Sequence, residues 1–96
     1  MLTFAERVAN GVALLDEKTP EWRTSVEPET LVMDSPNDCI LGQVYGDWLL
    51  ATEGLAITGY RERQEFYGFE FTVDEYLHED FEFLREDLRD EWIKQL

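Results

Sequence analysis

The segment Asp38-Cys39-Ile40-Leu41-Gly42-Gln43-Val44-Tyr45-Gly46-Asp47-Trp48-Leu49-Leu50 constrains the fold more than any other stretch. It is the most apolar part of the chain and lies in its middle, where elements from both ends can pack on it. Ile40, Leu41, Val44, Tyr45, Trp48 and Leu49 follow helical spacing and cover more than half of a helix's circumference. A helix apolar over that much surface must be enclosed by neighbours. Ser35, Pro36 and Asp38 form a start signal, with a capping serine, proline at the first helical position and a Ser-x-x-Asp box. The spacing predicts a buried central helix over 36–52, ended by Gly54. Gly42 and Gly46 stand four apart on one face, a geometry that lets another helix come close.

The flanking sequence is also helical in pattern. Thr3 and Glu6 make a capping box ahead of Phe4, Val8, Val12 and Leu15, predicting a helix over 3–18. Gly11 in its interior costs about 1 kcal/mol of helix propensity, which close approach by another helix would justify. Thr19-Pro20 restarts a short helix ending near Val26, and Pro28 opens a single turn. Trp22, Val26, Leu31 and Met33 are expected to be core residues. A connector with a turn at Thr58-Gly59 leads to a polar helix from Tyr60 to Tyr67, stopped by Gly68. Phe69-Glu70-Phe71 alternates like a strand but has no second strand to pair with, so it is expected to be an extended loop with its rings tucked in. Thr72 and Glu75 form another capping box. The last helix is expected over 73–95, with Leu77, Phe81, Leu84, Leu88 and Trp92 as its inward stripe.

The expected fold is therefore all-α: one compact domain over residues 1–96, a bundle of four to five helices with the 36–52 helix buried and the 73–95 helix packed on it. No internal repeat or low-complexity linker divides the chain. An apolar content of 44% excludes a disordered chain. A formal net charge of −14 repels nucleic acid and anionic membrane, so direct binding to either is not expected, and it favours basic partners. The sequence shows no apolar run long enough for a membrane span and no signal-peptide pattern. Its single cysteine cannot form an internal disulfide, so a reducing, cytoplasmic setting is expected.

Asp38-Cys39-Ile40-Leu41-Gly42-Gln43-Val44-Tyr45-Gly46 resembles a recurring segment of small acidic proteins encoded by actinobacterial phages and prophages. Other parts match the same family pattern: the helix end Ala13-Leu14-Leu15-Asp16-Glu17, then Trp22, the Gly68-Phe69 pair, and a terminal helix closing with Leu88 and Trp92. The family carries no established activity, so the resemblance transfers no functional residue; it implies a phage or prophage accessory protein. The family pattern has a second cysteine two positions before the motif cysteine. Here that position is Asn37, which weakens a paired-thiol or metal role for Cys39.

Three constellations carry candidate chemistry. Cys39 and His78 would make a nucleophile pair if the fold joined them, with Cys39 at a helix N-terminus that favours a thiolate, although a lone cysteine on an apolar helix is ordinarily core. Glu75-x-x-His78 is half of a di-iron pattern, and the single histidine prevents a complete site in one chain. Catalytic, cofactor and metal residues are accordingly not assigned, and no enzymatic activity is expected. The strongest signal is the acidic-aromatic run between Arg63 and Arg85, which contains no basic residue other than His78. Glu65, Glu70, Asp74, Glu75, Glu79 and Glu82 are the candidate partner-binding residues, interleaved with Phe66, Tyr67, Phe69, Phe71, Tyr76, Phe81 and Phe83. Carboxylates standing in for phosphates beside aromatic anchors suit a basic groove on a host or phage protein. The alternatives are a solvated outer face over a phenylalanine-rich core, and a homo-oligomeric assembly role with Gly42 and Gly46, or aromatics left outside the core, at the contact.

Overall fold

Local capping and close inter-helix contacts explain where several of the helices start and what they face. A computed structural model describes residues 2–55 and 61–96. Among them are α1 (Phe4–Lys18), 3₁₀ turns at Trp22–Ser25 and Pro28–Thr30, α2 (Ile40–Tyr45), α3 (Trp48–Gly54), α4 (Arg61–Phe66), α5 (Val73–Leu77) and α6 (Phe81–Ile93). No strand occurs among the described residues, and the fold is a small all-α domain. No helix among them is long and apolar enough to cross a membrane. The expected turn at Thr58-Gly59 and the expected helix start at Tyr60 lie outside the described residues.

The Thr3–Glu6 capping box is formed in both directions and starts α1. Val8, Gly11 and Leu15 turn inward along this helix, against α6 and the end of α4. Gly11 is where the approach is closest. A Cβ there would run into the Tyr67 carbonyl oxygen and meet the Trp92 ring at 2.8 Å. The propensity lost at Gly11 thus permits backbone-to-ring contact that no other residue allows.

The core is built on Trp92. Its indole stacks on Phe69 at 5.6 Å between centroids and meets Trp22 edge-on at 5.7 Å. Its Nε1–H donates to the Gly68 carbonyl at 2.9 Å, so the buried indole leaves no donor unmatched. Trp22 donates to Asp16 Oδ1 in turn. Trp22, Val26, Leu31 and Met33 are all buried, as expected from sequence. Phe69 and Phe71 are buried in the extended segment between α4 and α5.

Two expected helices are broken, and each break has a local cause. The 36–52 helix is replaced by a turn through Pro36–Asp38, then α2 and α3. Ser35 Oγ donates to Asp38 Oδ2 instead of capping a helix, and Cys39 caps α2 by accepting the Gly42 N–H at 3.3 Å on its sulfur. Gly46 then adopts φ 89°, a left-handed conformation open to glycine at little steric cost, and its N–H closes on the Gly42 carbonyl. Asp47 immediately restarts the chain as a helix by accepting the Leu50 N–H at 3.3 Å. The resulting corner folds back on itself: the Trp48 N–H donates to the Pro36 carbonyl at 2.9 Å.

This corner also corrects the expectation for Gly42 and Gly46. Gly42 is covered by the Pro36–Asn37 backbone of its own turn, and Gly46 is exposed with open space around its α-carbon. The pair offers no face for another helix. Burial is likewise uneven: Ile40, Leu41 and Ala51 are fully enclosed, whereas Leu50 is 62% exposed.

The 73–95 helix breaks at His78–Asp80. His78 turns extended, with ψ 136°, and its Nδ1 accepts the Asp80 N–H at 3.0 Å. Phe81 thereby reaches Phe71 at 5.0 Å and Tyr76 at 5.0 Å between ring centroids. A straight helix would also stack Glu75 over Glu79 one turn apart, where like charges repel. The break reverses one expectation. Leu77, placed by periodicity in the inward stripe, is 79% exposed. Leu88 and Trp92 are fully buried, as that stripe requires.

Candidate functional site

The acidic-aromatic run is organised from inside by a buried cation, Arg7. Its guanidinium, on α1, is 4% exposed in a chain of strong negative charge. It donates through Nε to the Glu65 carbonyl at 2.8 Å, through Nη2 to the Glu70 carbonyl at 2.6 Å, and through Nη1 to Glu75 Oε2 at 2.8 Å. Its carbon lies 4.9 Å from the Phe4 ring centroid. One planar group thus ties the end of α4, the Phe69–Phe71 segment and the first turn of α5 to α1. A forked donor can do this, and a point-charge ammonium cannot.

This arrangement divides the candidate residues into two sets. Glu75 is committed internally: besides the Arg7 pair, Oε1 accepts the Thr72 N–H at 2.7 Å, completing the capping box of α5. Glu70 accepts the Phe71 N–H at 2.9 Å and the Tyr76 hydroxyl. Glu65 is half-buried, and its carbonyl serves Arg7. Asp74, Glu79 and Glu82 are exposed, and among the described residues no cation lies within ion-pair distance of them. Asp80, part of the same acidic run though not among the candidate residues, joins this outer set at the bend.

The aromatics divide in the same way. Phe69 and Phe71 are core, Tyr67 and Phe81 are half-buried against them, and Phe66 and Phe83 reach solvent at 46% and 67% exposure. The outer carboxylates therefore stand beside apolar side chains, with Val73 (56% exposed) and Leu77 as well as Phe83 outside the core. Periodicity hid Leu77. The one sequence signal for its exposure is the density of acids around His78, which makes an unbroken helix there costly.

Cys39 and His78 are put to separate structural uses. The Cys39 thiol caps α2 and is 3% exposed, and burial, opposed by the Gly42 N–H, pushes its pKa up. Desolvation outweighs the helix N-terminus that would favour a thiolate. His78 lies exposed at the α5–α6 bend with Nδ1 held by the Asp80 N–H. Glu75 of the Glu-x-x-His pair is held by Arg7 and Thr72. Among the described residues no group of three or more His, Cys, Asp or Glu side chains could hold a metal ion.

A consequence in pH follows. The native state keeps the Cys39 proton where the unfolded chain releases it. Folding stability should therefore be insensitive to this thiol below its ordinary pKa of 9.0 and fall as pH rises beyond it. Alkylation of the native protein at pH 8 should be at least about tenfold slower than in urea. Equal rates would mean that the thiol is open to solvent.

Comparison with known proteins finds no matching family model, no matching curated protein and no matching solved structure. The functional reading therefore rests on the residues themselves.

Proposed function

We propose that this chain is a phage or prophage accessory protein that acts in the host cytoplasm by protein–protein interaction. It presents an acidic, partly apolar face to a basic surface on a host or phage protein, where its carboxylates take the place of nucleic-acid phosphates. The observation that carries this reading is the outer set Asp74, Glu79, Asp80 and Glu82, standing exposed beside Leu77 and Phe83. Carboxylates spent on structure would be paired inward like Glu75. Apolar side chains needed only for packing would be covered like Phe71. An uncovered mixture of the two has the composition of a recognition surface. No enzymatic step, cofactor or metal is part of the proposal.

The fold dictates which residues to change in testing it. Reversing Glu75 would break the Arg7 pair and the α5 cap, so loss of binding there would say nothing about the surface. The double substitution Glu79→Gln with Glu82→Gln removes two outer charges, leaves the Arg7 pair and the α5 cap intact, and places no cation in the first turn of α6. Against a basic protein captured from an actinobacterial lysate, it should weaken binding at least about tenfold, mainly through slower association, while the melting temperature falls by no more than a few degrees through the loss of Glu82 from the first turn of α6. Capture should be lost at high salt, and DNA should compete for the partner. Unchanged binding by the double variant would remove the acidic face from the function. A homo-oligomeric assembly role is the second reading, favoured by exposed Leu50 and Leu96 and opposed by a charge of −14 on every copy. A concentration-independent monomer in sedimentation would eliminate it.

A further inference from the structure

We propose that Leu2, Phe66, Val73 and Leu77 form a docking track for a cationic amphipathic helix of another protein. This rests on the reading above and names the kind of segment that the acidic face receives.

Helix α5 buries none of its residues, yet both ends are fixed: Thr72 and Glu75 cap its start, Arg7 holds Glu75, and the His78 N–H closes on the Glu75 carbonyl. Its apolar Val73 and Leu77 stand one turn apart, so they share a face, and that face is outward. A short helix that packs inward only through the Tyr76 ring, against Phe71 and Phe81, is thus pinned in a position that displays two aliphatic side chains. Thr72, the residue before Val73, lines a groove of about 280 Å³ with Leu2 and Phe66. Thr72 and Val73 are consecutive, so the groove and the outward face of α5 are one residue apart along the chain.

Charge identifies the occupant. Glu62 and Glu65 also line the groove, and Asp74 and Glu79 are exposed along α5 and just beyond it. Among the described residues lining the groove the cation is Arg7, and its charge is already paired with Glu75 while two carbonyls accept its other donors. A second copy of the chain would bring another −14 to this rim, so self-association on this face is opposed. A helix with apolar residues at i, i+3, i+4 and i+7 and with lysine or arginine on its flanks satisfies both the track and its rim. Long basic side chains would lie along Phe66 and place their heads at the carboxylates.

The test uses two synthetic peptides of equal length and equal lysine content. One has leucines at helical spacing, and the other has glutamine at those positions. Binding to the full chain is followed by fluorescence anisotropy at low salt. The amphipathic peptide should bind more tightly, and Leu77→Ser and Phe66→Ser should each weaken it at least about tenfold. Leu50→Ser, exposed elsewhere, should leave its binding unchanged. If both peptides bind alike and neither track variant matters, the track is refuted while the acidic interaction face survives. If neither peptide binds, both proposals fall. Circular dichroism of each variant, all changed at exposed positions, establishes that its fold is intact.

Discussion

Trp92→Ala is expected to destabilise the protein by about 4 kcal/mol, the upper part of the range for a buried aromatic truncation. The indole is fully enclosed and joins elements that are far apart in sequence: Trp22 from the first 3₁₀ turn, Phe69 from the extended segment, and Gly11 of α1. Truncation removes those ring contacts, strands the Gly68 carbonyl that accepted its N–H, and leaves a void bounded by rigid rings and helix backbone. A domain of this size has about 5–15 kcal/mol in total, so the variant should be close to unfolding at room temperature. Urea unfolding followed by far-ultraviolet circular dichroism reads the effect. Trp92→Phe separates the causes. It keeps much of the packing and loses the hydrogen bond, and should cost about half as much. A loss below about 1 kcal/mol for Trp92→Ala would mean that the Trp22–Trp92–Phe69 cluster does not organise the core.

Arg7→Met should cost about 3 kcal/mol, although it replaces a buried charge with an apolar side chain of similar length. Removing one member of a buried pair leaves the other desolvated and unmatched. Here the residues left behind are the Glu75 carboxylate, whose side chain is 18% exposed, and the carbonyls of Glu65 and Glu70. The partial exposure of Glu75 keeps the expected cost at the lower end of that for broken buried pairs. Arg7→Lys is the informative companion. It preserves charge, but its three donors sit on one nitrogen and cannot span acceptors that Arg7 reaches from Nε, Nη1 and Nη2, so it should recover less than half of the loss. Full recovery would show that charge alone matters. Double substitution of Arg7→Met with Glu75→Gln should be milder than the sum of the single changes, because the second removes the unmatched carboxylate.

The two variants differ in their effect on function. Trp92 holds the core together, and its loss affects everything. Arg7 holds the outer face from beneath: without it, α5 loses its tie to α1, and Val73, Asp74 and Leu77 lose their fixed positions. Arg7→Met should therefore weaken partner binding even under conditions where the rest of the protein remains folded. That makes Arg7 a positioning residue for a surface it does not itself form.

What the sequence by itself determined is the class of fold and the starts of α1 and α5; the starts of α2, α3 and α6 were not legible. Helical periodicity and capping boxes are local properties, read within a few residues, so Thr3–Glu6, Thr72–Glu75 and the burial of Trp22, Leu88 and Trp92 were all legible. The small residue in α1 was also legible as a site of close approach, although the Trp92 ring and the Tyr67 carbonyl that occupy that space were not. The break at Gly46 left a faint signal, a glycine followed by an aspartate, which ends one helix and starts another. The apolar periodicity running through that pair concealed it.

Only the tertiary structure decided which charges face inward. Glu75 and Glu79 are equivalent as letters in an acidic run; one is held by a cation from α1 at a separation of 68 residues, and the other meets solvent. It also decided that Leu77 leaves the core, because Phe71, Tyr76 and Phe81 close on one another only if the chain bends at His78. Both outcomes depend on contacts between segments distant along the chain. Periodicity carries no information about such contacts, since it describes one helix and not what lies against it.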